Sequence, residues 1–324
     1  MSFELERNGK SYFVIDNGHI SSASVKAAGI INPITGKNFV LSWRFEEFLP
    51  VALETYATLE KFLGIQIVID MPIIRSVDSI DQENLWLAKS SDSFFGKYLD
   101  GNGYEADWLS AFRKKLGYIP IKNSCRVDIK SLLYHWKTHL IETRRFLEEE
   151  FDYQEIKIKN GKVNYKHFSF DKVVFCEGAQ AIDNPFFDST SFSLNRGDVF
   201  TLKIQNIAMN RMYKDELFFV PFGDNTYWVG GGYLPKGKDE HEHKKEMENL
   251  IKEILIIDFE HLHHEYAWRP STKNRRPLLR QSDTFAQLYQ FNGLGTKGTS
   301  LAPYFSKVMS EFLFSGLNSP KIDG

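Results

Sequence analysis

Helical and strand-like patterns alternate through both halves of this chain of 324 residues, and this alternation limits the possible fold more than any other feature. Helical spacing of apolar residues predicts helices over residues 45–63, 128–149, 240–257 and 300–314. Apolar runs predict strands over 12–15, 65–74, 171–175, 198–204, 216–220, 226–230 and 286–291, with a hairpin at Asn160-Gly161. Interleaved strands and helices favour an α/β or mixed α+β fold.

Composition excludes several classes of protein. The hydrophobic fraction is 42%, and 27 Phe, 14 Tyr and 6 Trp can fill a large core, which argues against disorder. A formal net charge of −2 gives no basic excess for nucleic acid, and no apolar run reaches the roughly 18 residues of a membrane-spanning helix. Cys125 and Cys176 are the only cysteines and no signal peptide is recognisable, so we expect a cytoplasmic protein.

A Gly-x-Gly-x-x-Gly motif lies near the C-terminal end, at Gly293, Gly295 and Gly298. It follows a predicted strand and opens a predicted helix, where glycines let a phosphate or ring approach the backbone. Only 26 residues follow Gly298, which leaves no room for the second strand and acid of a dinucleotide fingerprint. The motif is therefore a secondary cofactor loop or, alternatively, a generic glycine turn before a helix.

Asp16 ends a predicted strand, in the setting of the acid that binds a ribose in dinucleotide folds. A helix stops at Asn8-Gly9, an apolar strand follows, and the acid comes next. Such an acid follows the glycines by about 20 residues, and counting back about 18 residues from Asp16 puts the last glycine roughly two residues before Met1. We therefore expect the fingerprint upstream of this sequence. The alternative is that Asp16 only begins an Asp-Asn-Gly turn.

Six segments in order resemble the D-amino-acid oxidase and glycine oxidase family of FAD-dependent oxidoreductases. They are 14–18, 22–29, 31–36, 173–178, 266–278 and 293–303. The resemblance implies a Rossmann-like FAD-binding domain that lacks its first strand and glycine loop, and an antiparallel-sheet substrate domain. It assigns 1–45, 125–189 and 265–324 to the FAD-binding domain, and 46–124 and 190–264 to the substrate domain.

The resemblance also implies which residues bind FAD. Asp16 would bind the adenosine ribose, and Gly178 would end a strand near the cofactor. A segment of small residues would wrap the flavin and pyrophosphate, namely Ser22, Ala23, Ser24, Ala27, Ala28 and Gly29. The C-terminal loop and helix start would contact the flavin through Gly293, Gly295, Thr296, Lys297, Gly298, Thr299 and Ser300.

By the same resemblance, the protein would oxidise the C–N bond of an amino acid or related amine by hydride transfer to the flavin. Arg269 matches the arginine that grips the substrate carboxylate through two parallel hydrogen bonds, unless it pairs with a structural carboxylate instead. Phe218 stands where glycine oxidases have a tyrosine that contacts the same carboxylate, and Phe cannot donate that bond. This departure favours a larger or more apolar amine than glycine.

Other side chains are weaker candidates. Tyr227, Trp228 and Tyr233 could line the pocket, although aromatic strand residues more often form core. His241 with His243, and His261 with His263 and His264, suggest a metal site at first sight. They lie on a charged stretch without an H-E-x-x-H pattern, so we expect no metal.

Two other functions stay open from the sequence. The flavin module of a tRNA-modifying enzyme shares the family's fold, although near-neutral charge and the lack of a methyltransferase-like segment weigh against it. A non-catalytic binding protein that has lost FAD is the second, because the expected first glycine loop is missing. The leading interpretation expects a small-molecule amine or amino acid as partner, and neither a membrane nor nucleic acid.

Overall fold

The computed structural model describes residues 1–18, 21–232, 234–235, 239–315, 320 and 322. The α-helices within these residues are α1 (Ser2–Arg7), α2 (Ala23–Lys26), α3 (Phe45–Leu63), α4 (Ile80–Ser90), α5 (Ile129–Glu142), α6 (Glu240–Ile254) and α7 (Gly298–Ser315). None of these described helices has both the length and the apolar character needed to cross a bilayer.

The strands fall into several sheets. They are β1 (Val14–Asp16), β2 (Ile30–Ile31), β3 (Ile34–Thr35), β4 (Val40–Leu41), β5 (Val68–Ile69), β6 (Ile73–Val77), β7 (Gly117–Ile121), β8 (Cys125–Val127), β9 (Phe146–Glu148), β10 (Ile156–Lys159), β11 (Lys162–Tyr165), β12 (Phe168–Phe170), β13 (Val173–Phe175), β14 (Asn195–Lys203), β15 (Met212–Lys214), β16 (Phe218–Gly223), β17 (Thr226–Gly230), β18 (Leu234–Pro235), β19 (Glu260–Arg269), β20 (Leu278–Gln281) and β21 (Leu288–Asn292).

The largest sheet has eight strands. Its order is β14-β17-β16-β15-β6-β7, and both β18 and β19 pair with β14. Within the described residues, the β15–β6 pair of this sheet is parallel and its other pairs run antiparallel. The predicted mixture of strands and helices is thus confirmed, with a mainly antiparallel sheet as its largest unit.

The two faces of this sheet pack against different cores, because side chains alternate along each strand. Val199, Val220 and Trp228 point into one core, and we call this side the Val199 face. Phe200, Phe219 and Val229 point into the other, together with Met247 and Ile251 of α6, and we call this side the Phe200 face.

Shorter parallel pairings make up the second part of the molecule. Strand β1 runs parallel to β9, and β13 runs parallel to β21, with β20 antiparallel on its other side. Helices α3 and α7 pack together through aromatic rings, with the centroids of Phe48 and Phe305 5.4 Å apart. The domain boundaries stay a prediction, and the expected boundary at 265 falls inside β19, which continues in the large sheet to Arg269.

Several predicted elements are confirmed and two need correction. The helix over 45–63 and the strand over 226–230 have the predicted bounds. The helix predicted over 128–149 ends at Glu142, because Arg144 takes a left-handed φ of 56° and the apolar Phe146-Leu147 then forms β9. The strand predicted over 65–74 is two short strands, β5 and β6, separated by a segment that contains Pro72, which has no amide hydrogen to donate.

Gly29 is fixed by close packing rather than by a turn alone. Its φ is +72°, and a β-carbon there would lie 2.9 Å from the carbonyl carbon of Val127 on β8. The backbone amide of Val127 donates to the Gly29 carbonyl at 2.9 Å, so the two backbones cannot separate without losing that bond.

We predict that Gly29→Ala lowers the free energy of unfolding by about 3 kcal/mol, the sum of a left-handed conformation and an overpacked contact. The control is Gly9→Ala, which has a similar φ of +62° but open space around it, and it should cost only about 1 kcal/mol. Urea denaturation measures both, and equal losses would contradict the packing explanation.

Candidate active site

Arg269 lies at the end of β19, on the Val199 face of the large sheet. It stands opposite Asn195 of β14, and its guanidinium crosses Gly197 on the same strand. A β-carbon on Gly197 would lie 2.6 Å from Nε of Arg269, so only glycine leaves room for the guanidinium here. The position of Arg269 therefore depends on residue 197 being a glycine.

The hydrogen-bond partners of Arg269 are neutral. Its Nη1 donates to the carbonyl of Gly232 at 2.9 Å and to Oδ1 of Asn195 at 3.3 Å. Within the described residues it forms no ion pair, so the alternative of a structural carboxylate partner does not apply there. Burial lowers the pKa of Arg269, with Asp198 acting in the opposite sense, but a guanidinium stays charged. A partly buried cation with donors to spare suits an anionic ligand.

Asp198, the nearest acid in sequence to Gly197, points to the opposite face. It is fully buried and accepts hydrogen bonds from Nε and Nη2 of Arg196, at 3.0 and 2.9 Å, and from Nε2 of His264 at 2.8 Å. His243 of α6 lies 3.6 Å away, and Arg196 also binds Glu240. These contacts neutralise Asp198 within the Phe200 face and leave Arg269 on the other side.

Two of the five histidine candidates belong to the same arrangement. His261, His263 and His264 lie on β19, and His241 and His243 lie on α6. Two of them, His243 and His264, flank the Asp198 carboxylate. No group of three or more potential metal ligands is found in the part of the chain that the structure describes.

Phe218 and Trp228 share the Val199 face with Arg269. Phe218 is half-buried on β16, directly opposite Gly230 of β17, and a β-carbon on Gly231 would lie 3.6 Å from its ring. Trp228 donates from Nε1 to the carbonyl of Lys26 at 2.9 Å. Tyr227 points to the Phe200 face and belongs to its core, whereas Tyr233 lies outside the described residues.

The small-residue segment 22–29 packs against this face. Ser22 caps the N-terminus of α2, where its hydroxyl accepts a hydrogen bond from the amide of Val25. Lys26, the last residue of α2, forms an ion pair with Glu265 of β19. At the other end Arg126 donates to the carbonyl of Ala28 at 3.1 Å. The predicted cofactor segment is thus held between β8 and the large sheet, next to Trp228. Ser24, Ala23 and Ala27 lie within this tethered stretch.

The C-terminal glycine loop packs on the segment that follows Arg269. Gly293 has φ +76°, and a β-carbon there would lie 2.8 Å from Cγ2 of Thr272. Gly295 has φ +55°, and its amide donates to the carbonyl of Pro270 at 3.2 Å. The loop therefore needs its glycines for contacts within the protein, and it places the start of α7 beside Pro270 and Ser271.

The beginning of α7 is positively charged. Nζ of Lys297 donates to Oγ of Ser42 at 3.1 Å, and burial together with Arg275 and Arg276 lowers the pKa of Lys297. Gly298 is the first helical residue, and Thr299 and Ser300 follow in the first turn, where helix amides favour negative charge. Thr296 precedes the helix in the same loop. This end of the molecule suits an anionic cofactor group.

The other predicted cofactor residues lie at strand ends. Asp16 ends β1, and its Oδ1 accepts from the amide of Gly18 at 2.7 Å, so the turn foreseen as the alternative is present. Gly178 follows β13 with φ +59° and open space where a β-carbon would be, and its carbonyl accepts from Nδ2 of Asn292 at 2.9 Å. Whether either residue binds a cofactor stays a prediction.

Sequence reasoning missed Asn195 and Gly197, the two β14 residues that position Arg269. A signal was present, because Asn195-Arg-Gly-Asp198 is a run of polar residues and glycine immediately before the apolar stretch of a predicted strand. The sequence did not reveal that Arg269 is the cross-strand partner of Asn195, since β19 itself was not predicted.

We predict that Gly197→Ala costs about 2–3 kcal/mol of unfolding free energy, because the added methyl group overlaps the guanidinium. In an Arg269→Ala background the same substitution should cost nothing measurable, since the obstruction is gone. Gly117→Ala on β7 of the same sheet is the control, with its nearest contact at an ordinary 3.9 Å. Urea denaturation measures the unfolding free energies for this double-mutant cycle. An equal cost of Gly197→Ala in both backgrounds would contradict the proposed contact between residue 197 and the Arg269 guanidinium.

Comparison with known proteins agrees with this fold. The family model described as DAO, FAD dependent oxidoreductase, matches residues 2–312. Among solved structures, iminodiacetate oxidase from Chelativorans sp. BNC1 superposes with a TM-score of 0.76 at 16% identity, over 99% of this chain and 93% of that one. Glycine oxidase from Geobacillus kaustophilus gives 0.77 at 15% identity, over 99% and 92%.

A third solved structure extends the likeness. L-proline dehydrogenase from P. horikoshii superposes with a TM-score of 0.73 at 13% identity, over 98% of this chain and 90% of that one. At such identities these likenesses show the fold, and the match of the family model over nearly the whole chain decides the family. The protein belongs to the DAO family of FAD-dependent oxidoreductases.

Proposed function

We propose that this protein oxidises the C–N bond of an amino acid or a related carboxylate-bearing amine, with Arg269 as the residue that binds the substrate carboxylate. The observation that carries the proposal is a partly buried guanidinium whose partners within the described residues are all neutral. Glycine oxidase, iminodiacetate oxidase and L-proline dehydrogenase are named for small carboxylate-bearing amines, which supports this substrate class.

The residues present suit FAD. Lys297, with Arg275 and Arg276 nearby, and the first turn of α7 supply positive potential for an anionic dinucleotide or for the electron-rich edge of a flavin. The open space around Gly178 leaves its backbone accessible from outside. When bound, FAD supplies the hydride acceptor, and the protein supplies binding and orientation.

The residues of the Val199 face then have separate tasks. Arg269 would hold the substrate carboxylate and so fix which bond of the substrate carbon is presented to the cofactor. Phe218 would contact the substrate's apolar part, since it has no hydroxyl to donate. Trp228, tied to Lys26, would hold segment 22–29 against the sheet and exclude water from the pocket.

Arg269→Met should raise KM for a substrate amino acid on the order of 30-fold, since a charge-assisted hydrogen bond to a carboxylate contributes about 2 kcal/mol. For the corresponding amine that lacks the carboxylate, wild type and variant should have the same KM. Steady-state turnover of the FAD-loaded chain measures both, with Arg7→Met, an exposed arginine of α1, as the control. An equal effect on acid and amine would contradict the assigned role.

The lack of a tyrosine at position 218 leads to a prediction about substrate choice. Turnover across a panel of amino acids should favour larger substrates over glycine, and Phe218→Tyr should lower KM for glycine by restoring a donor. A clear preference of the wild-type protein for glycine would overturn this assignment.

Flavin absorbance distinguishes the proposed oxidoreductase from the competing function, a binding protein without FAD. The purified protein should be yellow, or become so on reconstitution with FAD, and show flavin absorbance bands. A colourless protein that cannot be reconstituted would favour the non-catalytic alternative. Retention of RNA by the purified chain would favour the tRNA-modifying alternative.

A further inference from the structure

Two more cations lie side by side on the Val199 face. Lys214 of β15 stands directly opposite Arg75 of β6, and on its other side directly opposite Phe218 of β16. Both basic residues are half-buried. Arg75 lies between Ile73 and Val77, two residues that point into the core beneath this face, so its side chain emerges on the same side.

Neither cation is neutralised by a carboxylate within the described residues. Nζ of Lys214 donates to the backbone carbonyl of Glu216 at 2.8 Å and lies 4.7 Å from the centre of the Phe218 ring. The Arg75 guanidinium lies 4.5 Å over the ring of Phe39 and makes no hydrogen bond among the described residues. A guanidinium has five N–H donors, so this one has donors left for a further acceptor.

The electrostatics of the pair favour an added anion. Burial and the charge of Arg75 lower the pKa of Lys214 to about 8, although Asp215 and Glu216 act in the opposite direction. Burial also lowers the pKa of Arg75, against the effect of Asp78. Two desolvated like charges repel each other, and an anion placed between them removes that cost.

A continuous path on the same face joins this pair to Arg269. Arg269 donates to the carbonyl of Gly232, the next residue is Gly231, and the Phe218 ring packs beside Gly231. Nζ of Lys214 lies 4.7 Å from the centre of this Phe218 ring, and Lys214 stands next to Arg75 in the sheet. The order along the face is therefore a cation, a stretch of glycine backbone with an aromatic ring, and then two cations.

We propose that Lys214 and Arg75 form a second anion-binding subsite, and that the substrate is an amine carrying two carboxylates. This inference rests on the proposed function: Arg269 binds the carboxylate next to the reacting C–N bond, Phe218 contacts the methylene stem, and the second carboxylate is held by Lys214 and Arg75. The absence of a hydroxyl on Phe218 fits a stem at this position better than a carboxylate.

The test compares two inert carboxylates of equal length, glutarate and pentanoate, by calorimetry on the FAD-loaded chain. Glutarate should bind at least about tenfold more tightly, because only glutarate carries a second carboxylate for charge-assisted bonds with Lys214 and Arg75. Lys214→Met and Arg75→Met should each reduce glutarate affinity to about that of pentanoate, leave pentanoate affinity unchanged, and keep the melting temperature. Lys214→Arg should restore glutarate affinity, and Lys203→Met, at the end of β14, is the control.

The pH dependence gives an independent readout. Glutarate affinity should fall as pH rises through about 8, where Lys214 loses its proton, while pentanoate affinity should stay constant over the same range. The charged groups around this amine are Arg75, which stays protonated, and the carboxyls of Asp215 and Glu216. Burial raises the pKa of Asp215 to about 6, and the hydrogen bond with Asp215 lowers the pKa of Glu216, so neither carboxyl titrates in that window.

The two proposals fail in different ways. If Arg269→Met weakens pentanoate binding but glutarate binds no better than pentanoate, the second subsite is overturned and the proposed function stands. If Arg269→Met affects neither ligand, the carboxylate site of the proposed function is overturned, and the two-site substrate with it. A Lys214→Met variant that weakens both ligands equally would also overturn the subsite, since the effect would not depend on the second carboxylate.

Discussion

The arrangement of the site depends on one close contact, in which the Arg269 guanidinium lies across the bare backbone of Gly197. Because Gly197 has no side chain, the guanidinium can reach Asn195 and the carbonyl of Gly232 on the neighbouring chain segment. These acceptors hold the cation without neutralising it. A partly buried arginine normally costs free energy unless it is paired, and this agrees with the proposal that a ligand supplies the negative charge.

The side chains of strand β14 place different charges on the two faces of the large sheet. Alternation sends Arg196 and Asp198 to the Phe200 face, where His264 binds the buried Asp198 and the exposed Glu240 binds Arg196. Asn195 and Gly197 point to the other side, which is left with cations that lack acidic partners. Glu265 of β19 also lies on that side, and Lys26 of the small-residue segment neutralises it. The Val199 face therefore presents a positive surface to whatever lies between it and segment 22–29.

Regular patterns allowed the main elements to be predicted from the sequence. The helix over 45–63 and the hairpin at Asn160-Gly161 depend on local spacing and turn chemistry, which a single sequence carries. The helix over 128–149 was overextended because nothing local signals the left-handed Arg144 or the pairing of β9 with β1. Strand β19 was missed because many of its residues are polar and exposed, while His264 contacts the buried Asp198, so the strand lacks an apolar alternation.

The candidate site could be predicted only in part from the sequence, because it also depends on contacts between distant segments. Arg269 and the glycine loop could be selected from the family resemblance, but the reason for those glycines is contact with Thr272 and Pro270, which sequence spacing does not encode. Gly197, Lys214 and Arg75 are brought to one face by pairings between distant strands. Residues whose role comes from cross-strand register need the fold before they can be recognised.

The most direct test of the central claim is a crystal structure of the FAD-loaded protein with an inert carboxylate such as glutarate bound. The account predicts one carboxylate on the Val199 face with its oxygens about 2.7–2.9 Å from the Arg269 guanidinium, and Asp198 still bound to Arg196 on the other face. A carboxylate bound elsewhere, with Arg269 turned to a protein acid instead, would contradict it.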